Sequence, residues 1–140
     1  MGSGAGLPGI PLALSLPAAE FTLIERMGRR AGFLRNCAAV LGLTNVQVEE
    51  QDMEKAEQGR FDLAVFRAFR PFDAGILKGL FRLLKPGGVL AAWKGRPEKT
   101  RAEMIAAENS FPGIEWEIIP LNVPFLEEER CLVTVNFLRA

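Results

Sequence analysis

The chain contains no histidine and no tyrosine. Without an imidazole it has no Ser-His-Asp or Cys-His nucleophile, no histidine-ligated metal and no histidine general base. Any reaction it supports should need little proton abstraction. Cysteine is scarce too: Cys37 and Cys131 lie far apart and outside any metal spacing, which fits a reducing cytoplasm and no bound metal. No apolar run approaches the ~18 to 20 residues of a membrane span. Residues 7–19 are apolar, but Pro8, Pro11 and Pro17 interrupt them and no basic segment precedes them, so a signal peptide is not expected. Excess charge is also missing, since 17 Lys and Arg balance 17 Asp and Glu. Affinity for nucleic acid would therefore have to be local.

What is present is ordinary globular material. The 140 residues are 49% hydrophobic and 24% charged, as expected of one soluble domain spanning 1–140. Short β-rich runs alternate with helical stripes, the pattern of βαβ units and a mostly parallel sheet. Helices are expected over residues 10–16, 28–41, 74–84 and 98–109. In the second, Phe33, Leu34, Cys37, Val40 and Leu41 should face the core; in the third, Ile76, Leu77, Leu80, Phe81 and Leu84. Strands are expected over residues 21–24, 45–49, 61–66 (a buried strand) and 89–93. Two last strands, 114–121 and 131–138, should pair antiparallel. Lys85-Pro86-Gly87-Gly88 should stop a helix and turn the chain.

The opening Gly2-Ser3-Gly4-Ala5-Gly6-Leu7-Pro8-Gly9, followed about twenty positions on by Glu25 after an apolar run, is how a nucleotide-type cofactor is held in an α/β sheet. Small residues let the backbone approach the ligand, and the carboxylate accepts hydrogen bonds from ribose hydroxyls. Two cofactors fit. Gly4 to Gly9 satisfies the G-x-G-x-x-G of dinucleotide enzymes, and Gly2 to Gly6 the G-x-G-x-G of methyltransferases. Lys85-Pro86-Gly87-Gly88 before a fifth strand, and the closing hairpin, favour the second: an α/β class I S-adenosylmethionine-dependent methyltransferase (Rossmann-like) sheet with an antiparallel last strand.

Further segments carry a specific resemblance. The stretch from Gly2 to Ala13 resembles the cofactor loop of the bacterial small-subunit (16S) rRNA guanine-N7 methyltransferase family, RsmG, formerly GidB. Gly28-Arg29-Arg30 with Phe33-Leu34-Arg35 is similar to that family's second helix. Arg67-Ala68-Phe69 resembles its S-R-A-F segment, Lys94-Gly95 its L-K-G segment, and Glu129-Arg130-x-Leu132-Val133 its E-R-H-L-V terminus. Cys131 stands where the family usually has histidine, and Asp52 where it commonly has arginine.

The resemblance implies S-adenosyl-L-methionine as methyl donor and N7 of a guanine in the decoding-region loop of 16S rRNA as acceptor, with the 30S subunit as partner and no membrane. By that analogy Gly2, Ser3, Gly4, Gly6, Glu25, Met53, Glu54 and Arg67 bind the cofactor, and Arg67, Lys94 and Arg130 position RNA. A cytoplasmic monomer is the expectation. The chemistry agrees with the missing histidine, because N7 carries an in-plane lone pair and needs no deprotonation. Topology explains why the three cations should converge: Arg67 and Lys94 follow parallel strands, and Arg130 begins an antiparallel one, so all reach the edge where α/β sheets bind ligands. Single residues invite plainer readings as well. Arg29 and Arg30 sit at a helix start, the wrong end for cations, and Phe69 could stack on a base or fill the core. Trp93 and Cys37 read as packing.

The family also has N-terminal helices and a first strand that this sequence lacks, so an N-terminally truncated chain is expected. That strand would lie between those of residues 21–24 and 61–66, and each buried backbone group left without a partner costs roughly 1 to 3 kcal/mol. Two alternatives remain: a non-catalytic RNA-binding remnant, and an NAD-binding oxidoreductase.

Overall fold

The computed structural model describes residues 7–67 and 70–138. The chain divides into two compact units, Met1–Ala56 and Glu57–Ala140.

In the first unit the elements run α1 (Gly9–Ser15), β1 (Phe21–Glu25), α2 (Gly28–Val40), β2 (Val46–Glu50) and a 3-10 turn, η1 (Met53–Lys55). The Phe-Thr-Leu-Ile run of β1 favours an extended chain because branched and aromatic side chains suit a pleated, half-buried surface. β1 and β2 pair in parallel from Phe21 opposite Val46 to Glu25 opposite Glu50. Parallel neighbours need a crossover, and α2 supplies it. Ile10, Leu23 and Leu34 form the buried centre, with Cys37, Leu43, Val46 and Val48 packed around it. Gly9 lets α1 pack closely there, since a Cβ would press on the Leu23 side chain. Asn45 ties off α1: its side-chain amide donates to the carbonyls of Ala13, Leu16 and Ala19 at 3.1, 3.2 and 2.9 Å.

The inward face of α2 differs from the expected one. Ala31 and Leu34 are buried, whereas Phe33, Val40 and Leu41 are exposed. At about 100° per residue, Phe33 and Val40 fall opposite Ala31, and the helix meets its strands through a narrow stripe led by alanine. Cys37 packs against the core as expected.

The second unit runs β3 (Phe61–Arg67), α3 (Ala74–Leu83), β4 (Leu84–Lys94), α4 (Pro97–Ser110), β5 (Ile114–Leu121) and β6 (Arg130–Phe137). Its sheet has the order β3-β4-β6-β5. β3 and β4 are parallel; β6 enters antiparallel between β4 and β5. This is the α/β arrangement with an antiparallel last strand read from the sequence. Cys131, Val133 and Val135 point inward at every second position of β6, and Leu90, Ala91 and Ala92 of β4 are buried beside them. Asp73 caps α3, its Oδ1 accepting from the Ile76 N–H at 2.8 Å. Below it Leu77, Leu80, Phe81 and Leu83 are buried. α4 opens with Pro97 and buries Thr100, Met104 and Ala107 in one stripe.

Two expectations change here. Residues 85–88 do not separate helix from strand; β4 already begins at Leu84, opposite Phe61, and the ladder resumes with Leu63 opposite Val89. The Lys-Pro-Gly-Gly residues are a bulge inside the strand, with Gly87 at φ +81. A Cβ on Gly88 would lie 2.9 Å from the Lys85 carbonyl oxygen and 3.2 Å from that of Phe61, so only glycine fits. β3 is not the buried strand expected, because it stands at the edge of this sheet with Leu63 53% exposed. Among the described residues no helix is long and apolar enough to cross a membrane.

Candidate functional site

In the first unit, three of the residues proposed to meet the cofactor, Glu25, Met53 and Glu54, lie at or just after the ends of the parallel strands. Glu25 is the last residue of β1 and is only 2% exposed. Its Oε1 accepts from the Met27 N–H at 3.2 Å, and its carbonyl accepts from the Gln51 N–H at 3.1 Å. The first bond orients the carboxylate; the second ties the chain leaving β2 to the end of β1. Met53 and Glu54 follow at once on η1, the former half-buried and the latter exposed. Gly2, Ser3, Gly4 and Gly6 lie outside the described residues.

The neighbouring carboxylate has another task. Glu50, opposite Glu25 in the ladder, has Oε2 at 3.5 Å from Arg35 Nη1 and sits against Gly28, where an added Cβ would be 2.8 Å from its Oε1. A carboxylate there also complements the N-terminus of α2, whose first turn holds Arg29 and Arg30, both exposed, and no acid. Glu25 is thus the strand-end acid kept apart from that surface pair. A carboxylate fixed by a backbone N–H, acceptor-only and shielded from water, is chemically suited to the paired hydroxyls of a ribose.

In the second unit, the antiparallel entry of β6 brings the three named cations to one edge. Arg67 ends β3 opposite Trp93, Lys94 ends β4 opposite Cys131, and Arg130 begins β6 opposite Leu121. Their side chains differ in what they offer. Arg67 is exposed. Arg130 is half-buried, and its Nη1 donates to the Glu129 carbonyl at 2.9 Å rather than to a carboxylate. Lys94 is 7% exposed. Its ammonium donates to the Arg70 carbonyl at 3.1 Å and to Glu103 Oε1, and lies 4.6 Å from the centre of the Phe72 ring.

Around this edge stand Arg70, Arg96 and Lys99, all exposed. The loop between β5 and β6 reaches the same edge and carries Phe125, fully exposed and at φ +65. Among the described residues it is the one non-glycine with positive φ. Phe69 lies outside the described residues. Trp93 is half-buried, and Cys131 is buried with its Sγ donating to Thr100 Oγ1 at 3.5 Å. An open cavity of about 380 Å³ lies at the opposite end of this unit, beside Gly59, Leu84, Phe111 and Phe137, and contains none of the anticipated site residues.

The sequence reading missed Glu103 and Phe125. Nothing in a carboxylate nine positions after a lysine, across a strand end and into a helix, distinguishes it from a solvated helical charge. Among the described residues no group of three or more His, Cys, Asp or Glu could hold a metal ion.

Comparison with known proteins gives the family and the fold. Residues 1–133 match the family model GidB, rRNA small subunit methyltransferase G. The ribosomal RNA small subunit methyltransferase G of Treponema denticola is 40% identical over 140 residues, covering 96% of this chain and 54% of the relative. That of Stenotrophomonas maltophilia is 43% identical over 141 residues, covering 97% and 62%. The chain therefore spans little more than half the length of these curated relatives. Among solved structures, TYW2 of M. jannaschii in complex with AdoMet superposes with a TM-score of 0.67 at 18% identity, covering 100% of this chain and 67% of that one. Precorrin-6y C5,15-methyltransferase of Geobacter metallireducens gives 0.68 at 17% identity, covering 98% and 76%. At these identities the likeness is one of fold.

Proposed function

This chain belongs to the small-subunit rRNA methyltransferase G family, and from that premise we propose that it transfers a methyl group from S-adenosyl-L-methionine to N7 of a guanine in the decoding-region loop of 16S rRNA. The observation that carries this reading is the pairing of chemistries at the strand ends. One unit offers a buried, oriented carboxylate at Glu25; the other offers exposed or half-exposed guanidinium groups at Arg67 and Arg130. The first suits a sugar, the second a phosphate backbone.

When bound, the donor supplies an electrophilic methyl on a sulfonium. The residues of this chain have little proton chemistry to perform. The acceptor, guanine N7, would attack that methyl through its lone pair, a C–N bond forming as the C–S bond breaks and the electron pair leaving with sulfur. No proton is removed, so a chain without histidine is competent. By the family resemblance, Glu25 would accept hydrogen bonds from the donor's ribose, Met53 and Glu54 would contact its adenine, and Gly2, Ser3, Gly4 and Gly6, which lie outside the described residues, would belong to its binding loop. Arg67 would contribute to binding both cofactor and substrate, and Arg130 would hold RNA phosphate. What remains is alignment of nucleophile, methyl and leaving sulfur, which is a positional contribution to rate. The two units act as parts of one catalytic domain over 1–140, a cytoplasmic monomer working on 16S rRNA within the 30S subunit.

Titration calorimetry with S-adenosyl-L-methionine and with NAD separates the two cofactor readings. Donor binding without NAD binding is expected, and the reverse overturns the assignment. Transfer of labelled methyl to 16S rRNA and to 30S subunits tests the acceptor. Replacing the target guanine by 7-deazaguanine, which has carbon where N7 stood, should abolish transfer; continued labelling would place the methyl elsewhere.

A further inference from the structure

We propose that Lys94 and Glu103 form a buried clasp that sets the course of the chain after β3, and that both are positioning residues rather than contacts to a ligand. The argument starts from desolvation. The side chains of Lys94 and Glu103 are only 5% and 14% exposed, and an ion pair withdrawn from water persists only where its remaining donors and acceptors are also satisfied. Here they are. Besides Glu103 Oε1, the ammonium reaches the Arg70 carbonyl at 3.1 Å and faces the Phe72 ring at 4.6 Å. The same Glu103 oxygen accepts the Phe72 N–H at 3.0 Å.

These bonds converge on one short stretch. Residues 70–72 are held by β4 through Lys94, by α4 through Glu103, and by β3 through the edge-on contact of Phe66 with Phe72 at 5.8 Å between ring centres. The stretch begins three residues after Arg67. Drawing the Arg70 carbonyl inward leaves its side chain exposed, so the clasp fixes a guanidinium-bearing segment at the sheet edge while consuming its own charges. An ammonium enclosed in this way would have to abandon a carboxylate, a carbonyl and an aromatic face to reach a phosphate. Its consequence for methyl transfer rests on the function proposed above; the clasp itself does not.

Three variants of the full chain test it: Lys94→Met, Glu103→Gln, and the double Lys94→Met/Glu103→Leu. In the double variant apolar groups replace the pair, an exchange that buried ion pairs commonly tolerate without loss of fold. Amide hydrogen exchange at Phe72 should quicken about tenfold or more in the double variant while β4 and β6 exchange as before, since the Phe72 N–H loses its acceptor. Plots of log RNA affinity against log salt should keep their slope in both single variants, because no phosphate contact is lost. In methyl-transfer assays kcat should fall by similar factors in the two single variants and no further in the double, the signature of residues acting as one unit. Unchanged exchange at Phe72 overturns the clasp. So does a salt slope flattened by about 0.7 to 0.9 in Lys94→Met, which would mark a lost phosphate contact. A wild-type chain that transfers no methyl overturns the proposed function instead, and the exchange measurement still decides the clasp.

Discussion

The two units end their parallel strands with opposite charge. In the first, Glu25 and Glu50 close β1 and β2 side by side; in the second, Arg67 and Lys94 close β3 and β4, and Arg130 opens β6. Within each unit one strand-end charge is buried and fixed, and another is given to the surface. Glu25 is buried and bonded to a backbone N–H, whereas Glu50 pairs with Arg35 at a half-exposed position. Lys94 is buried with Glu103, and Arg67 is exposed. The difference lies in what holds the buried member. Glu25 is a carboxylate whose Oε1 accepts the Met27 N–H. Lys94 spends its donors on a carboxylate, a carbonyl and an aromatic face. Two strand-end charges are thus buried with different partners, so burial alone does not mark a ligand-binding charge.

The sharpest way to break this comparison is Glu25→Ala. A carboxylate accepting from two hydroxyls makes charge-assisted bonds worth about 1.5 to 3 kcal/mol each, so donor affinity should drop on the order of a hundredfold in calorimetry while RNA affinity stays put. Equal loss of both would mean that Glu25 supports the fold rather than the sugar. Next in size is a glycine pair. Gly88→Ala sets a Cβ against the carbonyl oxygens of Lys85 and Phe61, which belong to backbone and cannot yield. A loss of about 1 to 3 kcal/mol in denaturant unfolding is expected. Gly28→Ala meets only the movable Glu50 carboxylate and should change stability by less than about 0.5 kcal/mol. A costly Gly28 variant would show that Glu50 is as fixed as Glu25.

Arg130→Met comes third. One lost phosphate contact should weaken RNA binding severalfold and flatten its salt slope by about 0.7 to 0.9, with donor affinity unchanged. Set beside the unchanged slope expected of Lys94→Met, it separates a cation that meets RNA from one that organises the protein.

Much of this architecture was legible because the strands and α3 speak with one period. The Phe-Thr-Leu-Ile run, the Leu77, Leu80 and Phe81 stripe and the closing hairpin each admit one arrangement, and they formed as read. The stripe of α2 misled because two faces competed. Phe33 and Val40 are the larger apolar groups, but a helix drawn close to its strands buries small Ala31 instead. The bulge at residues 85–88 was hidden because Lys-Pro-Gly-Gly ends a helix equally well, and only the carbonyls beside Gly88 reveal a strand already begun. At the site, the meeting of Arg67, Lys94 and Arg130 followed from strand direction alone. The fate of Lys94 did not, because its partner is set by how α4 packs rather than by spacing in sequence. The Asn45 bonds to the end of α1 were hidden for the same reason.

The smallest effect concerns Phe125, and it sets stability against function. A bulky L-residue at φ +65 costs roughly 1 to 2 kcal/mol of backbone strain, and full exposure returns no burial to offset it. Neither packing nor conformation accounts for phenylalanine there. An aromatic face standing clear of the protein, on the edge that holds Arg67 and Arg130, suits an unstacked base. The carboxylates of Glu127, Glu128 and Glu129 in the same loop repel phosphate, so under the proposed function this loop would meet bases and the guanidinium groups the backbone. Phe125→Asn should therefore raise unfolding free energy by up to about 1 kcal/mol, since asparagine tolerates this conformation, and weaken binding of single-stranded RNA by several-fold with no change in salt slope. Stabilisation without loss of RNA affinity would remove Phe125 from the interface and leave the cations of the second unit to carry recognition alone.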